Sequence, residues 1–179
     1  MRLLKQRAGM CTLRTALSVG AIVALALAPI SSPADSMADY CNGTNGRAPK
    51  ATDKMAAAKK SVNDGHYAIG KQQAIAVQKA ADQCIAARQD QHNYAYVHAF
   101  GVIVEATAHL GLGEFDLGKA RMRQGMTEAQ AIIDDPQADR TIRKLAKDIV
   151  YGGQIELKRI QAAKPGEMLI VTPPPTAPP

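Results

Sequence analysis

Tyr94, His98, Glu105 and His109 recur at i, i+4, i+11 and i+15. On an α-helix this spacing places them within about a sixth of a turn of one another. Two imidazoles, a carboxylate and a phenol on one strip offer hydrogen bonds and charge to a ligand. The same strip also reads as a solvated face, which amphipathic helices carry routinely. Glu105 and His109 are one turn apart and could share an ion. His98 lies nearly two turns from Glu105, about 10 Å along the axis, too far to join them. Two ligands do not make a structural zinc site, and His66 or His92 would have to arrive from elsewhere in the fold. No metal or cofactor is therefore expected. Glu105 and His109 are the candidates if an ion binds.

Nothing else in the chain assembles catalytic machinery. Gly-x-Ser-x-Gly, His-Glu-x-x-His, Cys-x-x-Cys and a phosphate-binding loop are all absent from the sequence. Asp134 and Asp135 are adjacent carboxylates, but Pro136 after them marks both as helix-start residues. The expectation is a protein that is not an enzyme. Further along, Arg140, Lys144, Lys147, Tyr151, Gln154 and Lys158 share one face of a helix. That face could meet an anionic lipid or glycan, or form the soluble back of a capping helix.

The element that carries the strip belongs to an internal repeat. Gly65-His66-Tyr67-Ala68-Ile69-Gly70-Lys71 returns 48 residues later as Gly113-Glu114-Phe115-Asp116-Leu117-Gly118-Lys119. An offset in this range is the mark of stacked helical hairpins. Downstream of each phrase, Tyr67, Ala74, Ala81 and Ile85 correspond to Phe115, Met122, Ala129 and Ile133, one face of a helix. Cys84 falls on the same stripe, opposite Ile132. Upstream, Ala51, Met55, Ala58 and Val62 correspond to Ala99, Ile103, Ala106 and Leu110, the spacing of a core-facing stripe. Each unit therefore reads as helix, turn at the first glycine, helix, with the glycine as a left-handed cap. The scaffold repeats but the strip does not: Lys50, Ala57 and Ser61 stand where the second unit has His98, Glu105 and His109.

Taken in order, residues 1–34 resemble a bacterial secretory signal peptide. Arg2, Lys5 and Arg7 form a charged start, and Ala16 to Ile30 an apolar core. Cleavage sites follow at Ala34 or Ala38. The apolar run is short for a membrane span of about 20 residues; an uncleaved anchor is the alternative and would be the chain's one membrane contact. Cys11 precedes the apolar core, unlike a lipoprotein attachment cysteine. Residues 35–48 form an irregular segment with Asn-Gly turns. A helical domain then spans 49–164: repeat 1 over 49–89, repeat 2 over 93–134 and a capping helix over 136–164. In the last, Asp135 is the expected N-cap and Pro136 the first helical residue. Its stripe of Ile142, Leu145, Ile149, Gly153, Leu157 and Ile160 is interrupted by Gly152-Gly153, which marks either a kink or a close neighbour. Residues 165–179 form a Pro-rich tail expected to be disordered or polyproline II.

The unit resembles the tetratricopeptide repeat. His109-Leu110-Gly111, Gly113-Glu114-Phe115-Asp116 and the later Pro136 are similar to that family's Leu-Gly, its Gly-Asp-Tyr turn and the proline that opens its next unit. The resemblance covers roughly 49–136. The units here are longer than the family's 34 residues or so, and no peptide-carboxylate clamp matches. It implies an all-α protein of two antiparallel helical hairpins plus a C-terminal capping helix, whose first helices line a groove. The strip of the third helix would then face that groove, with the histidines accessible. A four- or five-helix bundle is the alternative architecture.

Composition agrees with an all-α chain: aromatics make up 4% and tryptophan is absent, so small side chains must pack the helices. The formal charge of +6 is concentrated at the start; setting aside the four basic residues before Asp35 leaves 18 against 16 acidic ones. Nucleic acid is not an expected partner. Once a leader is removed, Cys41 and Cys84 are the two cysteines that remain, and an exported compartment is oxidising, so a disulfide between them is expected. The functional expectation is an exported protein, periplasmic or secreted, that binds a protein or peptide. The alternative is a periplasmic small-ligand or metal-binding protein that uses the His/Glu strip.

Overall fold

A computed structural model describes Cys41 and residues 49–162, with side chains described from Lys54 onward. The expected leader, most of the segment at 35–48, the end of the capping helix beyond Ala162 and the Pro-rich tail lie outside the described residues. The rest forms five helices: α1 Pro49–Asn63, α2 Tyr67–Ala86, α3 Gln91–Gly111, α4 Phe115–Asp134 and α5 Arg140–Ala162. No strand occurs among the described residues, and the protein is all-α. No helix among them is long and apolar enough to cross a membrane.

Both repeated glycines end a helix in the left-handed region, Gly65 at φ 81° and Gly113 at φ 79°. The bonds around them are the same in both units. His66 N–H donates to the Ser61 carbonyl at 2.8 Å and Gly65 N–H to Val62 at 3.1 Å. Glu114 N–H donates to His109 at 2.9 Å and Gly113 N–H to Leu110 at 3.0 Å. This is the Schellman arrangement, which satisfies carbonyls that a helix end leaves without partners. The same pair of bonds closes α2, from Gln89 to Cys84 and from Arg88 to Ile85. There the left-handed residue is Arg88, at φ 54°. That turn ends α2 at Ala86 rather than at Gln89.

At the other end, α5 begins four residues later than Pro136. The Asp135 carboxylate accepts the Gln137 N–H at 2.8 Å and closes a separate turn. Asp139 then caps α5 by accepting the Thr141 N–H at 2.7 Å. Either aspartate can satisfy an open N–H, and the sequence alone does not rank them.

The second glycine of each repeated phrase brings the hairpin helices together. A Cβ on Gly70 would lie 2.5 Å from Val62, and one on Gly118 would lie 2.6 Å from Leu110. The repeated Gly-Lys step is thus a packing requirement of each hairpin. Gly101 meets Gln78 and Ala74 of α2 in the same way, and Gly125 meets Ile103 and Ala99 of α3. Small residues let the helices approach without large aromatic side chains. In α5 the paired glycines make no break. Gly152 and Gly153 are buried inside one continuous helix, and Gly153 faces Met126 of α4.

Helix α3 is at the centre: α1, α2, α4 and α5 all pack against it. Among the described residues α2 and α4 do not pack on each other, nor do α1 and α5. The main core joins Ala99, Ile103, Ala106 and Leu110 of α3 to Met122, Ala129 and Ile132 of α4 and to Ile149 and Ile160 of α5. A second core surrounds the disulfide. Cys41 and Cys84 are bonded, with Cα atoms 5.6 Å apart and a sequence separation of 43. Val77, Ala81, Tyr94 and Val97 pack about the bond. Closing a loop of that length stabilises by roughly 4 kcal/mol on the chain-entropy view.

Candidate functional site

Helix geometry decides what becomes of the His/Glu strip. Gly101 touches α2 and Ile103 touches α4, and two residues on a helix point about 200° apart. The two second helices of the hairpins therefore clasp α3 from opposite sides. His98, Glu105 and His109 point into the seam between them. This corrects the expectation of an accessible strip: Glu105 is 3% exposed and His109 8%. The opposite edge of α3, on the side of α1 and α5, carries Tyr96 and Phe100 instead, with ring centroids 6.2 Å apart. Burial, and then the nearby Asp148 charge, pushes the Tyr96 phenol up. Lys59 of α1 stands 5.9 Å from the Phe100 ring centroid.

Tyr94 leaves the strip altogether. It is 5% exposed, and its hydroxyl donates to the Cys41 carbonyl. It anchors the disulfide-tethered residue to α3.

Along the seam, polar side chains from α2 and α4 roof the strip. At the end near the hairpin turns, Gln78 donates to Glu105 at 2.8 Å and Arg121 approaches the same carboxylate at 3.3 Å. The His109 ring lies between Glu105, at 3.4 Å, and Glu114, which it bonds through Nδ1. Lys71 reaches Glu114 at 3.3 Å. The bond with His109, followed by that from Lys71, holds the Glu114 carboxyl below its ordinary range. Arg121 already supplies the cation that Glu105 would otherwise seek. Among the described residues no three His, Cys, Asp or Glu side chains are grouped to hold a metal ion.

Towards the other end the seam opens. Arg121 donates to Gln124 at 2.7 Å and Gln124 to Glu128 at 2.9 Å. Glu128 bonds His98 Nδ1 at 2.8 Å, and His98 Nε2 lies 3.5 Å from Asp82 of α2. Nearly two turns beyond, His92 bonds Asp135 at 3.0 Å. These side chains wall an open hollow of about 360 Å³, floored by Ile85, Ala95 and Ile132. Of the strip residues, His98 is the one that lines it.

The bond to Glu128 raises the His98 imidazole above its ordinary value. Burial opposes this, the Glu128 and Asp82 charges add to it and Arg121 subtracts from it. Burial pushes Glu128 up, but the bonds from His98 and Gln124 with the charges of His98 and Arg121 bring it below its ordinary range. The Gln137 N–H, then His92, lowers Asp135. A carboxylate-held imidazole of raised pKa serves as a charged donor rather than as a base. Among the described residues no Ser, Thr or Cys lines the hollow.

Asp82, His92, Glu128 and Asp135 were not among the sequence candidates. Asp82 on α2 and Glu128 on α4 are polar residues at helical spacing, which any solvated face also shows; His92 lies in the first turn of α3 and Asp135 just beyond α4. The basic candidates Arg140, Lys144, Lys147 and Lys158 are exposed along α5, away from this hollow's lining.

No protein-family model, curated protein or solved structure matches this chain.

Proposed function

We propose that this chain is an exported, non-enzymatic protein of tetratricopeptide-like helical hairpins that binds a protein or peptide partner in the periplasm. The hollow between α2 and α4 carries this reading. It is open, with an apolar floor and hydrogen-bonding walls, and so suits a chain laid across it. A small-ligand site instead encloses most of its ligand's surface. Burial of Glu105 and His109 removes most of the strip on which a small-ligand reading would depend. The hairpin reading is supported by identical turn bonds in the two units and by sequential helix packing. Export is supported by the Cys41–Cys84 bond, since such bonds persist in oxidising compartments, together with the leader-like start of the sequence.

The test is photo-crosslinking in the exporting cell. A photoreactive residue replaces Ala95 or Ala131 in the hollow and, as a control, Lys158 on the exposed face of α5. A discrete protein adduct from the hollow positions alone is the expected result. No adduct, or the same adducts from Lys158, would overturn the reading. Alkylation of the periplasmic fraction without reductant should leave Cys41 and Cys84 unmodified.

A further inference from the structure

The hollow combines two features that a single kind of side chain satisfies. Its floor, Ile85, Ala95 and Ile132, is apolar. Among the described residues its rim bears three carboxylates, Asp82, Glu128 and Asp135, and no lysine or arginine. The histidines on the rim each already face a carboxylate, His92 with Asp135 and His98 with Glu128. Asp82 is the least committed of the three. Its side chain is 63% exposed, and its one ion pair among the described residues, to His98, is long at 3.5 Å. Arg121 reaches this wall through Gln124, but its charge is matched by the buried Glu105.

We propose that the hollow is a binding site for a basic side chain, lysine or arginine, of the partner polypeptide. The methylene stem lies on Ile85, Ala95 and Ile132, and the cationic head meets Asp82 and Glu128. Long basic side chains are built for such a place, with an apolar stem and a charged tip. Charge complementarity would select such a segment over an acidic one. This inference rests on the polypeptide-binding reading and names the chemistry that the site selects. Because protonated His98 competes for the same carboxylates, binding strengthens as pH rises and His98 loses its proton. Glu128, Asp82 and Arg121 are the charged groups that face it.

The experiment is amide-resolved NMR titration of the oxidised mature protein. The probes are N-acetyl-arginine amide, N-acetyl-lysine amide and the neutral N-acetyl-glutamine amide. The cationic probes are expected to give saturable, salt-sensitive shifts at Ala95, His98, Glu128 and Ala131, and the neutral probe none. The better of the two cations assigns the residue. Asp82→Asn, at an exposed position that leaves the fold intact, should weaken binding about tenfold, and Glu128→Gln should do so more strongly. Equal shifts from the glutamine probe, shifts centred elsewhere, or unchanged binding in Asp82→Asn would overturn the inference. Hollow-specific crosslinks surviving such a failure would leave polypeptide binding standing without this selectivity. Probe binding without crosslinks would instead end the polypeptide reading.

Discussion

A Cβ on Gly118 would lie 2.6 Å from Leu110, the side chain it faces across the second hairpin. Leu110 is 3% exposed and packs within the main core, and the Ala106 carbonyl oxygen lies 3.1 Å from the same added Cβ. Gly118→Ala should therefore cost about 1–3 kcal/mol through overpacking, reduced by up to about 1 kcal/mol of helix propensity. Gly153→Ala meets the far end of Met126 instead, with Sδ at 2.6 Å. That flexible side chain can swing away, so the change should be near neutral. Urea unfolding of both variants checks the contrast; equal costs would show that the close approach at Gly118 is not limiting.

Arg88 stands where Gly65 and Gly113 stand in the other two turns of the same type. A side chain in the left-handed region costs roughly 1 kcal/mol. Arg88→Gly should stabilise the protein by about that amount, and Gly113→Ala should destabilise it similarly. A Cβ at Gly113 meets nothing within 4 Å, so its cost is conformational alone. Thermal melts of the two variants should move in opposite directions.

Glu105 is enclosed with Gln78, Arg121 and His109. Truncation removes the acceptor of Gln78 and leaves Arg121 and His109 with their bonds to Gln124 and Glu114, so Glu105→Ala should cost about 1–3 kcal/mol. Glu105→Gln keeps an acceptor for Gln78 and should cost less. A double-mutant cycle with Arg121→Ala measures how much of the loss belongs to that pair. A strip open to solvent would instead give costs within about 0.5 kcal/mol.

The His98–Glu128 pair makes stability depend on pH in a defined direction. The folded-state pKa of His98 is raised, so its contribution is complete below the ordinary value of 6.5 and is lost as pH rises through the folded value. Glu128 is lowered, so its contribution is complete above 4.5 and is lost as pH falls through its folded value. The stability difference between wild type and His98→Gln should thus peak between those two ordinary values and shrink towards alkaline pH. Its size should be roughly 0.5–1 kcal/mol for a pair whose side chains are 20% and 30% exposed. A difference that grows above neutral pH would reverse the assignment.

The five helices, both glycine turns, most of the buried stripe positions and the disulfide partners were legible in the sequence because each rests on short-range chemistry or on counting, although Phe115, placed on a stripe by its spacing, is 40% exposed. A glycine in the left-handed region, a period of 3.6 and two remaining cysteines need no knowledge of neighbours. Start positions were less legible: Asp135 and Asp139 are both competent caps, and only the folded chain shows which opens α5. The fate of the strip was set by tertiary structure alone. In the first hairpin the matching position, Ala57, is exposed, and among the described residues no helix precedes α1 to cover it. In the second hairpin α3 lies between α2 and α4, and side chains that are far apart in sequence close over Glu105 and His109 and leave His98 at the mouth of a hollow. Helical periodicity says which residues share a face; which neighbour covers that face depends on contacts between residues distant in the chain.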